Sequence, residues 1–223
     1  MAYTRGDSKQ IIVGAAALFV SSSAEFDPTN ASPALPDFAA GTSYRETLSN
    51  SSVVRNVGYT MNGLELQFQP DFGEVQVDQL LDVAKLYKQG MQVNLATAFA
   101  EATLENLLVA IAAPTNSLAK DVKVDNPLEL GTTNFADVMD LKSGELGECP
   151  VERGLIAIGP GTGDCAAGTS IERIYVAYRA LSIENVTVSA KRDEASMFEV
   201  SFRLLPANNG SYGKIVDRLV PTS

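Results

Sequence analysis

Glu101 and Glu105 stand four residues apart in "AEATLENLLVAIA", a spacing that puts two carboxylates on one helix face, where one could give a proton and the other take it. Such a pair needs convergent polar groups or a metal beside it, and the sequence supplies no partner of that kind. The 223-residue chain has no histidine, which removes Ser-His-Asp and Cys-His nucleophiles, histidine-bound metals and the usual proton shuttle near neutral pH. Its two cysteines, Cys149 and Cys165, are too few for a metal cluster and lack a C-x-x-C spacing, so they read as small thiols or a loop staple. Asp71, Asp78 and Asp82 do not match the spacing of a calcium loop. The glycine-dense "GPGTGDCAAGTS" imitates a phosphate loop, but that motif ends in G-K-[ST]; here Gly163 is followed by Asp164, whose charge would repel a phosphate. The expectation is a protein that is not an enzyme, with no catalytic residue, no cofactor and no metal.

Charge points the same way. The 17 Lys and Arg against 27 Asp and Glu give a formal net charge of −10, whereas gripping nucleic acid through its phosphates needs cations that displace counterions. A hydrophobic fraction of 45% with 20% charged residues suits a globular domain able to bury a full core. Arg5 and Lys9, then "IIVGAAALFV" and "SSSA", imitate a secretory signal peptide. Asp7 interrupts the basic region, however, and ten apolar residues are too few to span a bilayer as a helix; the run reads as a buried first strand. Asn30, Asn50, Asn185 and Asn209 fit N-x-[ST], which carries weight only in a secreted chain.

The elements that would position any site are mostly of period two. Leu64, Leu66 and Phe68 alternate with Glu65, Gln67 and Gln69, and after "PDFG" Val75 and Val77 alternate with Glu74, Gln76 and Asp78. The two runs read as a hairpin turning at residues 70–73. "RIYVAYRA" is a further strand, "LSIENVTVSA" a strand bent where the apolar phase switches between Ile183 and Val186, and "MFEVSFRLL" turns Phe198, Val200, Phe202 and Leu204 inward. "MQVNLATAF" alternates, but Leu104, Leu107, Leu108 and Ile111 then follow at helical spacing. They predict one flanking α-helix near 100–112 with that stripe as its core face, Thr97 or a neighbour as its cap and Pro114 as its stop. A single short helix of this kind closes one open side of a β core.

Residues 24–50, with Pro28, Pro33 and Pro36 at their start, read as an extended arm or loop, and 113–170, with Pro114, Pro127, Pro150 and Pro160, as an irregular insertion. Lys191, Arg192, Asp193 and Glu194 form a mixed-charge run, either a solvated turn or a surface that interlocks with another copy of the chain. The fold class expected is mainly β, a sandwich or barrel-like single domain over 1–223.

Two long segments, "EVQVDQLLDVAKLYKQGMQVNLATAFAEATLENLLVAIA" and "YVAYRALSIENVTVSAKRDEASMFEVSFRLLP", together resemble the major tail tube proteins of long-tailed, non-contractile (siphovirus-type) bacteriophages. The likeness lies in the order of parts: a V-D-Q-like segment at 77–79, a K-x-y-x-x-G turn at 85–90, an A-E-x-T-L-E-N-L helix at 100–107, and a K-k-D-E segment before an F-x-V-x-F strand within 191–202. It spans about 11–22, 53–113 and 171–206. The resemblance implies a virion structural protein whose hairpins join, in six-membered rings, into a β-barrel around a lumen. Stacked rings would form the conduit for DNA ejection. Implied partners are copies of itself and the tape measure, tail terminator and distal tail proteins, with DNA passing through unbound. Its implied location is the virion tail, with assembly in the host cytoplasm and no membrane.

On that basis Glu65, Gln67, Gln69, Glu74, Gln76 and Asp78 are candidates for the lumen wall, and Lys191, Arg192, Asp193 and Glu194 for contacts between subunits. Six copies carry a formal charge of about −60, and any share of it facing the lumen keeps DNA from sticking. The alternatives are a secreted or surface adhesin-like β-sandwich, favoured by the signal-like start and the sequons, and an enzyme built on Glu101 and Glu105 or the glycine loop.

Overall fold

The structure, a computed structural model, describes residues 12, 14–21, 25, 26, 35, 38, 43–78, 82–125, 133–141, 149–162, 169–188, 192 and 195–221. Among them run β1 (Ala17–Ser21), α1 (Tyr44–Ser49), β2 (Val54–Asn56), β3 (Thr60–Gln76), β4 (Val83–Phe99), α2 (Leu104–Ala110), β5 (Leu118–Asp125), β6 (Thr133–Met139), β7 (Arg153–Pro160), β8 (Thr169–Ser182), β9 (Phe198–Leu205) and β10 (Gly213–Pro221). The fold is mainly β, as expected, and every strand pairing is antiparallel.

The main sheet follows the order β2-β1-β7-β8-β9-β4-β3, and β10 pairs with β8 off that path. β8 holds β7 along one side, while its other side takes β10 over 169–177 and β9 over 179–182. It therefore belongs to two layers at once, β2-β1-β7-β8-β10 and β8-β9-β4-β3. Between them lies one core, with Leu18 and Val20 of β1, Leu155 and Ala157 of β7, Leu95 and Phe99 of β4, and Val200, Phe202 and Leu204 of β9. The alternation in "FEVSFRLL" supplies its half as expected, Phe198, Val200, Phe202 and Leu204 all being buried.

The opposite face of the first layer is buried too, since Phe19, Ile156, Ile158, Ile174 and Val176 pack with Phe26, Tyr44 and Leu48. β7 therefore overturns the expected bounds of the insertion. It lies between β1 and β8, and Leu155 to Ile158 are buried without alternation, as a strand covered on both faces must be. Gly154 fits this crowding, because a Cβ there would sit 2.2 Å from the ring of Phe26. What remains as an appendage is the 3-10 turn Thr115–Ser117 and the separate two-stranded sheet of β5 and β6.

The expected arm at 24–50 is also corrected where the structure describes it. The N–H of Phe26 donates to the carbonyl of Tyr178 at 2.8 Å. The N–H of Tyr44 donates to Glu172 Oε2 at 2.8 Å, and Ser43 donates to the same carboxylate. Tyr44 stacks on Phe38 at 4.9 Å between ring centroids. Aromatic burial thus makes part of a proline-rich stretch into core; Pro28, Pro33 and Pro36 lie outside the described residues. β1 occupies the second half of the expected first strand. The predicted strand over 181–190 ends at Ser182, with Ile183 and Val188 exposed beyond it.

Candidate assembly surface

β3, "TMNGLELQFQPDFGEVQ", and β4, "VAKLYKQGMQVNLATAF", are each 17 residues long and pair from Thr60 with Phe99 out to Gln76 with Val83. The expected turn at 70–73 is strand instead, as is the expected turn at 85–90. Asp71 pairs with Gly90 and Phe72 with Lys88, so the irregularity is one extra residue on β4, Gln89. Pro70 is compatible with this because β3 is the outermost strand of its sheet, and an edge strand can do without one donor. The Asn62-Gly63 pair forms no hairpin turn either. Both residues take left-handed φ, 64° and 73°, and make a bulge within β3, held by Thr97 Oγ1 donating to the carbonyl of Gly63 at 2.7 Å.

β9 supports β4 only over 93–99. Residues 83–92 have no second neighbour among the described strands, and at ~3.3 Å per residue they carry the ribbon about 33 Å past that support. Among the described strands none pairs with the outer edge of β3.

Residues opposite each other in an antiparallel pair share a face. On one face Glu65, Gln67, Gln69 and Asp71 meet Ala96, Asn94, Gln92 and Gly90. Gln67 donates to Glu65 at 3.1 Å, Gln92 to Asn94 at 3.3 Å, and Gln89 to the Tyr87 hydroxyl at 3.1 Å beside Gly73. The other face carries Leu66, Phe68 and Phe72 opposite Leu95, Val93 and Lys88, then Glu74 opposite Leu86. Nearest the core this apolar face lines a groove of about 630 Å³ with Tyr175, Leu204 and residues 210–215, where the Tyr212 hydroxyl donates to the carbonyl of Met91 at 2.7 Å. Phe68, which also lines the groove, and Phe72 and Leu86 farther out are left 55%, 54% and 59% exposed by the described residues. Contiguous exposed apolar surface of this kind is characteristic of interaction sites.

No protein-family model matches the chain, and no curated protein matches it. The likeness of the sequence to tail tube proteins thus rests on the segments quoted above alone.

All six lumen candidates are exposed, but they do not form one wall. Because β3 runs through 70–73 without a turn or an added residue, its alternation continues unbroken, which puts Glu74 and Gln76 on the face of Phe68 and Phe72, opposite Glu65, Gln67 and Gln69. Asp78 lies past the end of the strand. The polar wall gains Asp71, Gln89, Gln92 and Asn94 in their place, and the polar phase of "MQVNLATAF" was the signal that could have found Gln92 and Asn94. Lys191, Asp193 and Glu194 lie outside the described residues, and Arg192 is exposed. Cys149 is an exposed free thiol; Cys165 is also outside the described residues.

Glu101 and Glu105 turn to different partners. Glu101 Oε1 accepts from the N–H of Tyr59 at 2.9 Å, while Glu105 pairs with Arg55 at 3.4 Å and with Lys120. Burial lowers the pKa of Arg55, opposed by the charges of Glu105 and then Glu101. α2 begins later than expected, capped by Thr103, whose hydroxyl accepts from the N–H of Asn106 at 3.2 Å; Thr97 belongs to β4. Its core face is rotated as well. Asn106, Leu108, Val109 and Ala110 are buried, Leu107 packs at the core margin, and Leu104 and Ile111 are exposed.

Asn106 is the reason. It is 1% exposed, donates to the carbonyls of Val57 at 2.8 Å and Glu101 at 2.9 Å, and accepts from Arg55 at 2.8 Å. Its side chain ties the helix to the segments on either side of the hairpin base. Asn106→Ala is expected to cost about 2–4 kcal/mol, since it strands two carbonyls and a guanidinium N–H. Urea unfolding measures this, and a loss below ~0.5 kcal/mol would refute the role.

Proposed function

We propose that this chain is a structural subunit that closes into rings through its β3–β4 hairpin, the rings stacking into a tube of the phage-tail kind through which DNA passes. The observation that carries this is the hairpin itself: an amphipathic ribbon of two 17-residue strands that the described residues leave open at both edges beyond the core and exposed on its apolar face. An isolated two-stranded ribbon is marginal in water, and open edges invite uncontrolled pairing. Joining ribbons around a ring satisfies the edges, and it divides the two faces between a lumen and a wall. The wall of Glu65, Gln67, Gln69, Asp71, Gln89, Gln92 and Asn94 then faces the lumen. Its amides and carboxylates leave Lys85, opposite Val75 at the far end of the ribbon, as the one cation the hairpin strands put on that face, so a polyanion finds little to bind. Phe68, Phe72 and Leu86 turn outward, under a neighbouring copy.

The adhesin-like alternative depends on the first residues being a cleaved leader. Those residues include β1, which lies between β2 and β7 and gives Leu18, Phe19 and Val20 to the core, so that alternative loses its main support.

Electron microscopy and native mass spectrometry of the purified chain test the proposal. Rings with an open centre, six copies each and stacking into tubes, are expected; a monomer at every concentration and salt tried would overturn it.

A further inference from the structure

We infer that the two free edges of the hairpin are sorted by charge, so that the β3 edge of one copy seats against the outer part of β4 in the next. This rests on the ring proposal and specifies which surfaces meet. β3 carries Glu65, Asp71 and Glu74 and no Lys or Arg; β4 carries Lys85 and Lys88 and no Asp or Glu. The sorting extends to the two faces. Asp71 shares the polar face with Lys85, which stands opposite Val75, and Glu74 shares the apolar face with Lys88, which stands opposite Phe72. All four are exposed, and none forms an ion pair with another described residue; Lys88 Nζ donates to Met91 Sδ at 3.7 Å.

Three contacts between copies are possible along these edges. A two-fold contact of β3 with β3 sets carboxylates against carboxylates, and one of β4 with β4 sets lysines against lysines; like charges facing each other across strands are unfavourable. Only β3 against β4 places an acid and a base together, on both faces. That contact is head to tail, so it repeats in one rotational sense and closes as a ring instead of stopping at a dimer. In a ring every β3 runs one way and every β4 the other, which makes the new pairing antiparallel. Its length is bounded by 83–92, where β4 has backbone groups that β9 does not use.

Two double variants of the full chain, Lys85→Glu/Lys88→Glu and Asp71→Lys/Glu74→Lys, test this by native mass spectrometry with circular dichroism as the check on folding. The first has two acidic edges and the second two basic ones. Each alone is expected to need at least roughly tenfold more protein than wild type to form rings, a modest effect per ion pair repeated at every interface. Mixed in equal amounts, they are expected to recover ring formation at the wild-type concentration as alternating copies, since each edge again meets its opposite. Variants that form rings as wild type does, or folded variants whose mixture stays unassembled, would overturn the edge assignment and leave the ring proposal standing. A wild-type chain that never forms rings would overturn the ring proposal itself.

Discussion

Replacing residues 70–91 by a two-residue Asn-Gly turn is expected to leave a folded monomer that forms neither rings nor tubes. Gln69 and Gln92 stand opposite each other, and Asn-Gly is the preferred two-residue link for such a pair. The deletion keeps the pairing of 60–69 with 92–99 and all of the contact between β4 and β9 over 93–99. It removes Phe72, Leu86 and the edge that β9 leaves open, together with one tie to the core, from Tyr212 to Met91. The buried residues of the hairpin, Val93, Leu95 and Phe99 among them, stay in place, so thermal unfolding should remain cooperative. Sedimentation velocity reads the outcome. A shortened chain that still sediments as rings would show that assembly lies elsewhere on the molecule.

Phe202→Ala is expected to cost about 3–5 kcal/mol, the range for emptying a phenyl ring from a tight core. Phe202 is 2% exposed, stands opposite both Leu95 and Ser182, and meets the ring of Phe99 at 6.4 Å between centroids. It is therefore at the strand that joins the hairpin to β8. A domain of this kind has ~5–15 kcal/mol of net stability, so the loss is a large share of the whole. Chemical denaturation gives the number directly, and a change under ~1 kcal/mol would mean that the two layers do not meet at this ring. Because the hairpin hangs from β9, ring formation should weaken along with folding in this variant, unlike in the shortened chain.

How much of this was legible in the sequence depended on how each strand is covered. β9 was plain because one face is buried and the other wet, which writes a period of two into "FEVSFRLL". β7 was hidden because both of its faces are buried, so "GLIAIG" has no period, and the neighbouring prolines and glycines argued for a loop. The hairpin strands were visible but their turn was misplaced: "PDFG" carries every local turn signal, yet a free outer edge lets proline and glycine stay within a strand. That one difference divides the lumen set, since a turn at 70–73 would reset the alternation and bring Glu74 and Gln76 onto the face of Glu65, whereas the unbroken strand puts them on the opposite one. The helix was legible from its leucines, but its orientation was set by Asn106, a polar residue that an apolar stripe cannot reveal. β10, "GKIVDRLVP", is hidden because its charged and apolar residues come in pairs, Ile215 with Val216, Asp217 with Arg218 and Leu219 with Val220, and show no period of two. Its place is fixed by tertiary pairing with β8, where Arg173 donates to Asp217 through two bonds of 2.6 Å and holds that carboxyl below its usual pKa.

β8 has a mechanical consequence. Since one uninterrupted backbone serves both layers, a pull on the projecting ribbon passes through two ladders, β4 to β9 and β9 to β8, and then travels along peptide bonds to the far side of the subunit. The layers cannot slip past one another without bending that strand. Stiffness in a cylinder made of such units would come from this shared keel, and the grip of side chains would matter less.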